Sequence, residues 1–209
     1  MNKIFRSSGF SQILDEAYNF FSCIEPRRFD AAEKFIGPGI YGIFYYGQFS
    51  LYSSIACTSK DYYPIYVGKA VPIGWRQGRG SNTMNSPVLW NRINQHFRSI
   101  NSVSNLEIND FKFVAMIMNP PETDLISAAE NYLIRTYKPI WNSVMDGFGN
   151  HDPGKGRYNQ AKSDWDVVHP GRPFADKCNG QPMAPPYTSC VFTFLSCLFT
   201  LERFVYPPF

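Results

Sequence analysis

Three short apolar runs limit the ways in which this chain can fold. Residues 37 to 47, GPGIYGIFYYG, residues 63 to 70, YPIYVGKA, and residues 111 to 118, FKFVAMIM, are rich in Ile, Val, Phe and Tyr and have the length of buried strands. Around them the apolar period is helical. Phe10, Ile13, Leu14, Ala17, Phe20 and Phe21 recur at helix spacing before the first run, Val88, Leu89, Ile93 and Phe97 between the second and third, and Leu125, Ile126, Ala129, Leu133 and Ile134 after the third. Few strands among helical segments give an α+β fold, expected here as a small three-stranded antiparallel sheet flanked by helices. The first two runs are close enough to form a hairpin with a long connection.

Composition narrows the class. With 209 residues, 44% apolar and 18% charged, the chain is far from the polar composition that stays disordered. Its net charge of +3 does not by itself point to nucleic acid, so any such argument must rest on local charge. Cys23, Cys57, Cys178, Cys190 and Cys197 are an odd set without a C-x-x-C pair, unlike a disulfide framework or a thiolate zinc site. The N-terminus carries Asp15 and Glu16 and has no signal-peptide core, and the longest apolar run, Val191 to Leu201, falls well short of the ~20 residues of a membrane span. A soluble, cytoplasmic protein is expected, with no membrane partner.

The expected organisation has four parts. Residues 1–36 form an N-terminal helical cap, in which Asp30 and Glu33 resemble a capping box before a second short helix. Residues 37–145 form the core, with inserted connections at 47–62 and 74–87, the latter rich in Gly and Arg and closed by Pro87. On the helix that follows, Arg92 and His96, four residues apart, are expected along a side other than the apolar face. Lys138-Pro139 should end the last core helix. Residues 146–180 are a polar loop region without a clear period, and residues 181–209 are an apolar tail foreign in composition to the rest. Such a tail fits an arm packed on the body or on a second subunit, and equally a non-native ending.

Taken by themselves, Gly39-Ile40-Tyr41 and Tyr66-Val67-Gly68-Lys69 read as two aromatic strands of a packed sheet. More pieces follow in order: Leu89-x-x-Arg92-x-x-x-His96-Phe97, then Glu130-Asn131-Tyr132-Leu133-Ile134, then Lys138-Pro139-Ile140-Trp141-Asn142. Together they resemble the GIY-YIG nuclease superfamily over about residues 37 to 142. His96 stands where most of the superfamily has tyrosine, which is similar to the type II restriction branch. The GWRQGR run and the SDWDVVHPGRPFA segment also look like that branch, specifically its members that cut a GC-only palindrome, CCGCGG.

The resemblance implies a Mg²⁺-dependent DNA endonuclease that leaves 5′-phosphate and 3′-hydroxyl ends. Glu130 would hold one Mg²⁺ per active site, and Tyr41 would act as general base with His96 taking the proton onward. Lys69 and Arg92 would favour the anionic phenol, and Arg92 would also clamp the scissile phosphate. Tyr66 would orient the water or Tyr41, and Asn142 would tie the segment after the helix to the site. Five cations and no acid lie between residues 69 and 98, a stripe suited to phosphates. Candidate contacts to double-stranded DNA are Arg76, Gln77, Arg79 and Arg98, with Lys155, Arg157, His169 and Arg172 in the 146–180 region. A palindrome is read most economically by a homodimer, and a cognate DNA methyltransferase is the functional partner that the resemblance implies. The other readings are a repair or homing nuclease of the same superfamily and a catalytically silent DNA-binding module.

Overall fold

Five of the seven residues in Gly39–Tyr45 carry large apolar side chains, and a sheet covered on both faces is what such a strand requires. A computed structural model describes residues 3–58, 63–72, 74–75 and 85–180. Arg76, Gln77, Arg79 and the tail from 181 to 209 lie outside the described residues.

The sheet has four antiparallel strands, β1 (Arg27–Arg28), β2 (Gly39–Tyr45), β3 (Pro64–Ala70) and β4 (Phe111–Ile117), in the order β1-β4-β2-β3. All seven residues of the inner strand β2 are buried. Alternation divides them: Tyr41, Ile43 and Tyr45 join one core, whereas Ile40 and Phe44 join another. The first core packs Leu89, Ile93, Phe97 and Ile100 of α2 (Val88–Ser102), together with Trp141 of α4 (Ile140–Ser143), Phe148 and Trp165. The second packs Leu14 and Phe21 of α1 (Phe10–Ser22) with Ile126, Ala129 and Leu133 of α3 (Ile126–Tyr137). The expected hairpin is present, with β2 and β3 paired and a register irregularity between Ile43 and Phe44. As expected, α3 stops at Lys138, whose φ of 47° is left-handed, followed by Pro139.

The structure corrects three expectations. The sheet has a fourth strand because Arg27 and Arg28 pair with Phe113 and Lys112 at the β4 edge. The Arg27 guanidinium lies 5.2 Å from the centre of the Phe113 ring, so an apolar contact hides inside a sequence that reads as charge. No second helix follows α1: Asp30 receives hydrogen bonds from Arg28 at 3.0 and 2.8 Å instead of capping a helix, and Phe29 stacks on Phe97 and Trp90. Finally, His96 is buried with the apolar stripe of α2, because it lies three residues from Ile93 and seven from Leu89. Arg92 alone of the pair sits at its margin.

The polar region after α4 is ordered around α5 (Asp164–Val168), where Ser163 caps the backbone N–H of Asp166. Its centre is Arg172. The side chain is 2% exposed, pairs with Asp166 at 2.6 Å, lies between the rings of Trp165 and Phe174, and donates to the carbonyls of Gly147, Phe148 and Asn150. One guanidinium thereby gathers three carbonyls, those of Gly147, Phe148 and Asn150, into a fixed loop.

Candidate active site

The site is assembled around β3, an edge strand of the sheet. Tyr41 on β2 stands opposite Gly68 on β3, and the absence of a side chain at Gly68 makes room for its ring: a Cβ there would lie 2.4 Å from the phenol oxygen. The hydroxyl meets Nε2 of His96 at 2.5 Å. Tyr66 closes the group, with its ring centre 6.1 Å from that of Tyr41 and 5.1 Å from that of His96. Phe148, positioned through the Arg172 loop, stacks on His96 at 4.5 Å.

Electrostatics fix the protonation states. Burial first, and the neighbouring Tyr66 second, hold the Tyr41 phenol well above its ordinary value, while Arg92 opposes them. Burial also raises Tyr66, which Arg92 and the neighbouring Tyr41 hydroxyl pull back and Glu130 pushes up. His96 is held well below the usual histidine range by burial first and then chiefly by the Arg92 guanidinium, with Arg172 adding to it. At neutral pH the phenol is therefore protonated and the imidazole neutral, so Tyr41 donates and His96 accepts.

Arg92 reaches the group from the solvent side. It donates to the Gly149 carbonyl at 3.1 Å and to Gln95 at 3.2 Å, and it contacts Nε2 of His151. A cleft of about 220 Å³ opens here, lined by Arg92, Gln95, Arg98, Ser99, Asn150 and His151 among others. On the other side of β3, Lys69 pairs with Glu130 of α3 at 2.6 Å, the carboxylate 13% exposed. The register that puts Lys69 opposite Ile40 gives it the α3 face of the sheet, while Tyr66 belongs to the α2 face. The site thus wraps the β3 edge, with Arg92 and Glu130 acting on the Tyr66 phenol in opposite directions. Asn142 of α4 braces that edge, its amide accepting from the Val67 N–H and donating to the Val67 carbonyl, both at 2.8 Å.

Glu130 is the carboxylate paired with Lys69 on the α3 side of the β3 edge, and among the described residues no group of three His, Cys, Asp or Glu side chains could cage a metal ion. One hard carboxylate, 13% exposed at the sheet edge, nevertheless suits Mg²⁺, which keeps several waters and shares its remaining positions with substrate phosphates. The donor set fits that ion.

Of the expected DNA contacts, Arg98, Lys155 and Arg157 are exposed, and Arg98 lines the cleft. His169 and Arg172 are instead inside the protein, a correction with a clear cause. The acceptors and donors they need are internal: His169 is 0% exposed, bonded to Tyr52 at 2.5 Å and Asn105 at 2.9 Å, and Arg172 is fully used by Asp166 and the loop carbonyls. Sequence reasoning passed over Phe148, Gly149 and His151. Their link to Arg92 and His96 depends on how the Arg172 loop folds back, which no local pattern announces.

A phenol bonded to a helix-borne histidine over one face of a small antiparallel sheet, with an arginine and a glutamate at the sheet edge, is the architecture of a GIY-YIG nuclease domain, and the enzyme is a DNA endonuclease. The chain belongs to the family described as the Eco29kI GIY-YIG domain, whose family model matches residues 33–187, and this places it with the restriction-type nucleases. No curated protein matches the chain. No helix among the described residues is long and apolar enough to cross a membrane.

Proposed function

We propose that this protein is a Mg²⁺-dependent type II restriction endonuclease that cuts both strands of a GC-only palindrome as a homodimer, leaving 5′-phosphate and 3′-hydroxyl ends. The observation that carries the reading is the 2.5 Å hydrogen bond from the Tyr41 phenol to His96, set beside a guanidinium. Phosphodiester hydrolysis needs a water relieved of its proton, charge compensation on the phosphate oxygens, and help for the departing 3′ oxygen.

The phenols and the imidazole supply the first. As the water attacks, its proton passes to the phenol pair while Tyr41 delivers its own proton to Nε2 of His96. Tyr66, half-buried where Tyr41 is fully enclosed, is the phenol that the water reaches first. A phosphate beside Arg92 offsets the cation that lowers the affinity of His96 for a proton, so substrate itself readies the acceptor. Arg92 clamps the scissile phosphate, and Lys69 holds the Glu130 carboxylate in place at the sheet edge. Mg²⁺ bound at Glu130 would supply Lewis-acid stabilisation of the phosphate and the leaving oxygen. Asn142 keeps β3, and with it Tyr66 and Lys69, at its station.

Arg98 would meet backbone phosphate, and Lys155 and Arg157 guanine edges, a pairing that favours a GC-rich target. Two-fold symmetry of the target favours two copies of the chain, and a methyltransferase of the same specificity would protect host DNA. Purified protein and its Glu130→Gln variant, incubated with plasmid DNA with and without Mg²⁺, test the reading, with the ends sequenced and the mass in solution measured. Discrete fragments with one common terminus, lost by at least about 10²-fold in the variant or without metal, are expected. Cutting confined to branched substrates, or at random sequences, would overturn the restriction assignment.

A further inference from the structure

We propose that His151 is a positioning residue for Arg92, holding the guanidinium in the cleft through a neutral imidazole so that its charge stays available to the scissile phosphate. The proposal rests on the nuclease reading above and adds a residue to it.

Several cations among the described residues are paired with carboxylates. Arg172 is paired with Asp166, Lys162 with Asp176, Arg28 with Asp30 and Lys69 with Glu130. Arg92 is held differently: its recorded hydrogen bonds go to the Gln95 side chain, the Gly149 carbonyl and Nε2 of His151, all uncharged acceptors. Neutral acceptors fix the direction of a guanidinium without cancelling its charge, as a carboxylate would. Two of the three come from the loop after α4 that Arg172 organises, and Gly149 also lies against the Tyr66 hydroxyl. His151 therefore joins the polar loop region to the proton-transfer group.

The contact needs an unprotonated Nε2, because an imidazolium has only donors to offer and repels a guanidinium. Burial first, then Arg92 and Arg172, keep His151 below the usual histidine range. The charged groups around it are Arg92 and Arg98 from α2, Arg172 from the segment after α5, and its neighbour Asp152, whose carboxylate is engaged by the Gly154 N–H and the Tyr158 hydroxyl. Acidification turns this residue from a support of Arg92 into a competitor.

The test compares His151→Ala and His151→Gln with the wild type in single-turnover cleavage across pH, with DNA affinity measured without Mg²⁺. His151→Ala should lose about tenfold or more in rate with affinity changed less than about threefold. His151→Gln should regain most of the rate, since its amide oxygen accepts at any pH, and its activity should persist to lower pH than the wild type. Equal rates for wild type and His151→Ala, or no rescue and no change of pH profile in His151→Gln, overturn the proposal. The histidine titrations followed by NMR in the absence of DNA separate its failure from that of the nuclease reading. His151 should titrate below about 6.5 and move upward in Arg92→Met, and an unmoved value overturns the positioning role whether or not the protein cuts DNA.

Discussion

Replacing Gly68 by alanine inserts one methyl group at the point where the Tyr41 phenol lies over the neighbouring strand. The new Cβ would stand 2.4 Å from the Tyr41 oxygen, 2.6 Å from its Cζ and 2.9 Å from a ring carbon of Tyr66. Ordinary contact begins near ~3.5 Å, so the phenol must retreat by about 1 Å. Tyr41 is 0% exposed and packed by the core, and its bond to His96 is 2.5 Å long. A retreat of that size brings the bond to the limit beyond which it is no longer a hydrogen bond. We expect about 1–3 kcal/mol of destabilisation from overpacking and about 10²-fold slower cleavage from the misplaced phenol. Gly42→Ala is the control. Its Cβ would meet Phe21 at 2.8 Å on the other face of the sheet, so it should cost similar stability and leave the rate of the folded enzyme unchanged. Thermal melting and single-turnover cleavage measure the two quantities. Wild-type cleavage by folded Gly68→Ala would refute the claim that this glycine exists to seat Tyr41.

Two further outcomes follow from the polar interior. His169 is held at about 3, by burial first and by Arg172 second, against ~6.5 in the unfolded chain. The unfolded state therefore takes up the proton first as pH falls. The stabilising contribution of neutral His169 is complete above pH ~6.5 and is lost progressively toward pH 3, up to about 5 kcal/mol. Urea melts between pH 7 and 4 should show this loss, with a shallower slope in His169→Gln, and an identical slope would count against it. Arg172→Ala strands the Asp166 carboxylate, itself 4% exposed, and frees the loop carbonyls, so equilibrium denaturation should register a loss of about 3–5 kcal/mol. A change under about 0.5 kcal/mol would mean that the pair behaves as a surface contact.

The parts of this fold that periodicity controls were legible in the sequence. The β2 and β3 hairpin, β4, and helices α1, α2 and α3 all come from runs whose apolar spacing is local. What escaped was decided by distant partners. Arg27 and Arg28 form a strand beside β4, where the Arg27 guanidinium lies over the Phe113 ring, and Asp30 is taken by Arg28 before it can cap a helix. His96, with Tyr41 beneath it on the sheet, was legible as a motif, yet its burial required counting it onto the Leu89 and Ile93 stripe. The polar region misled most. A stretch with His169, Arg172, Lys155 and Arg157 reads uniformly as a basic surface, while only the latter two face solvent. Which cations turn inward depends on Asp166 and on the carbonyls of Gly147, Phe148 and Asn150, and a one-dimensional pattern of charge carries no such information.

The amide of Asn142 has a consequence away from chemistry. A sheet border with an unsatisfied N–H and C=O is a template on which a foreign strand can register and from which aggregation grows. At Val67 a side-chain amide, with the same donor and acceptor as a peptide, already occupies the place of the missing neighbour. The border can therefore lie open to a long polymeric substrate and still refuse to grow by strand addition.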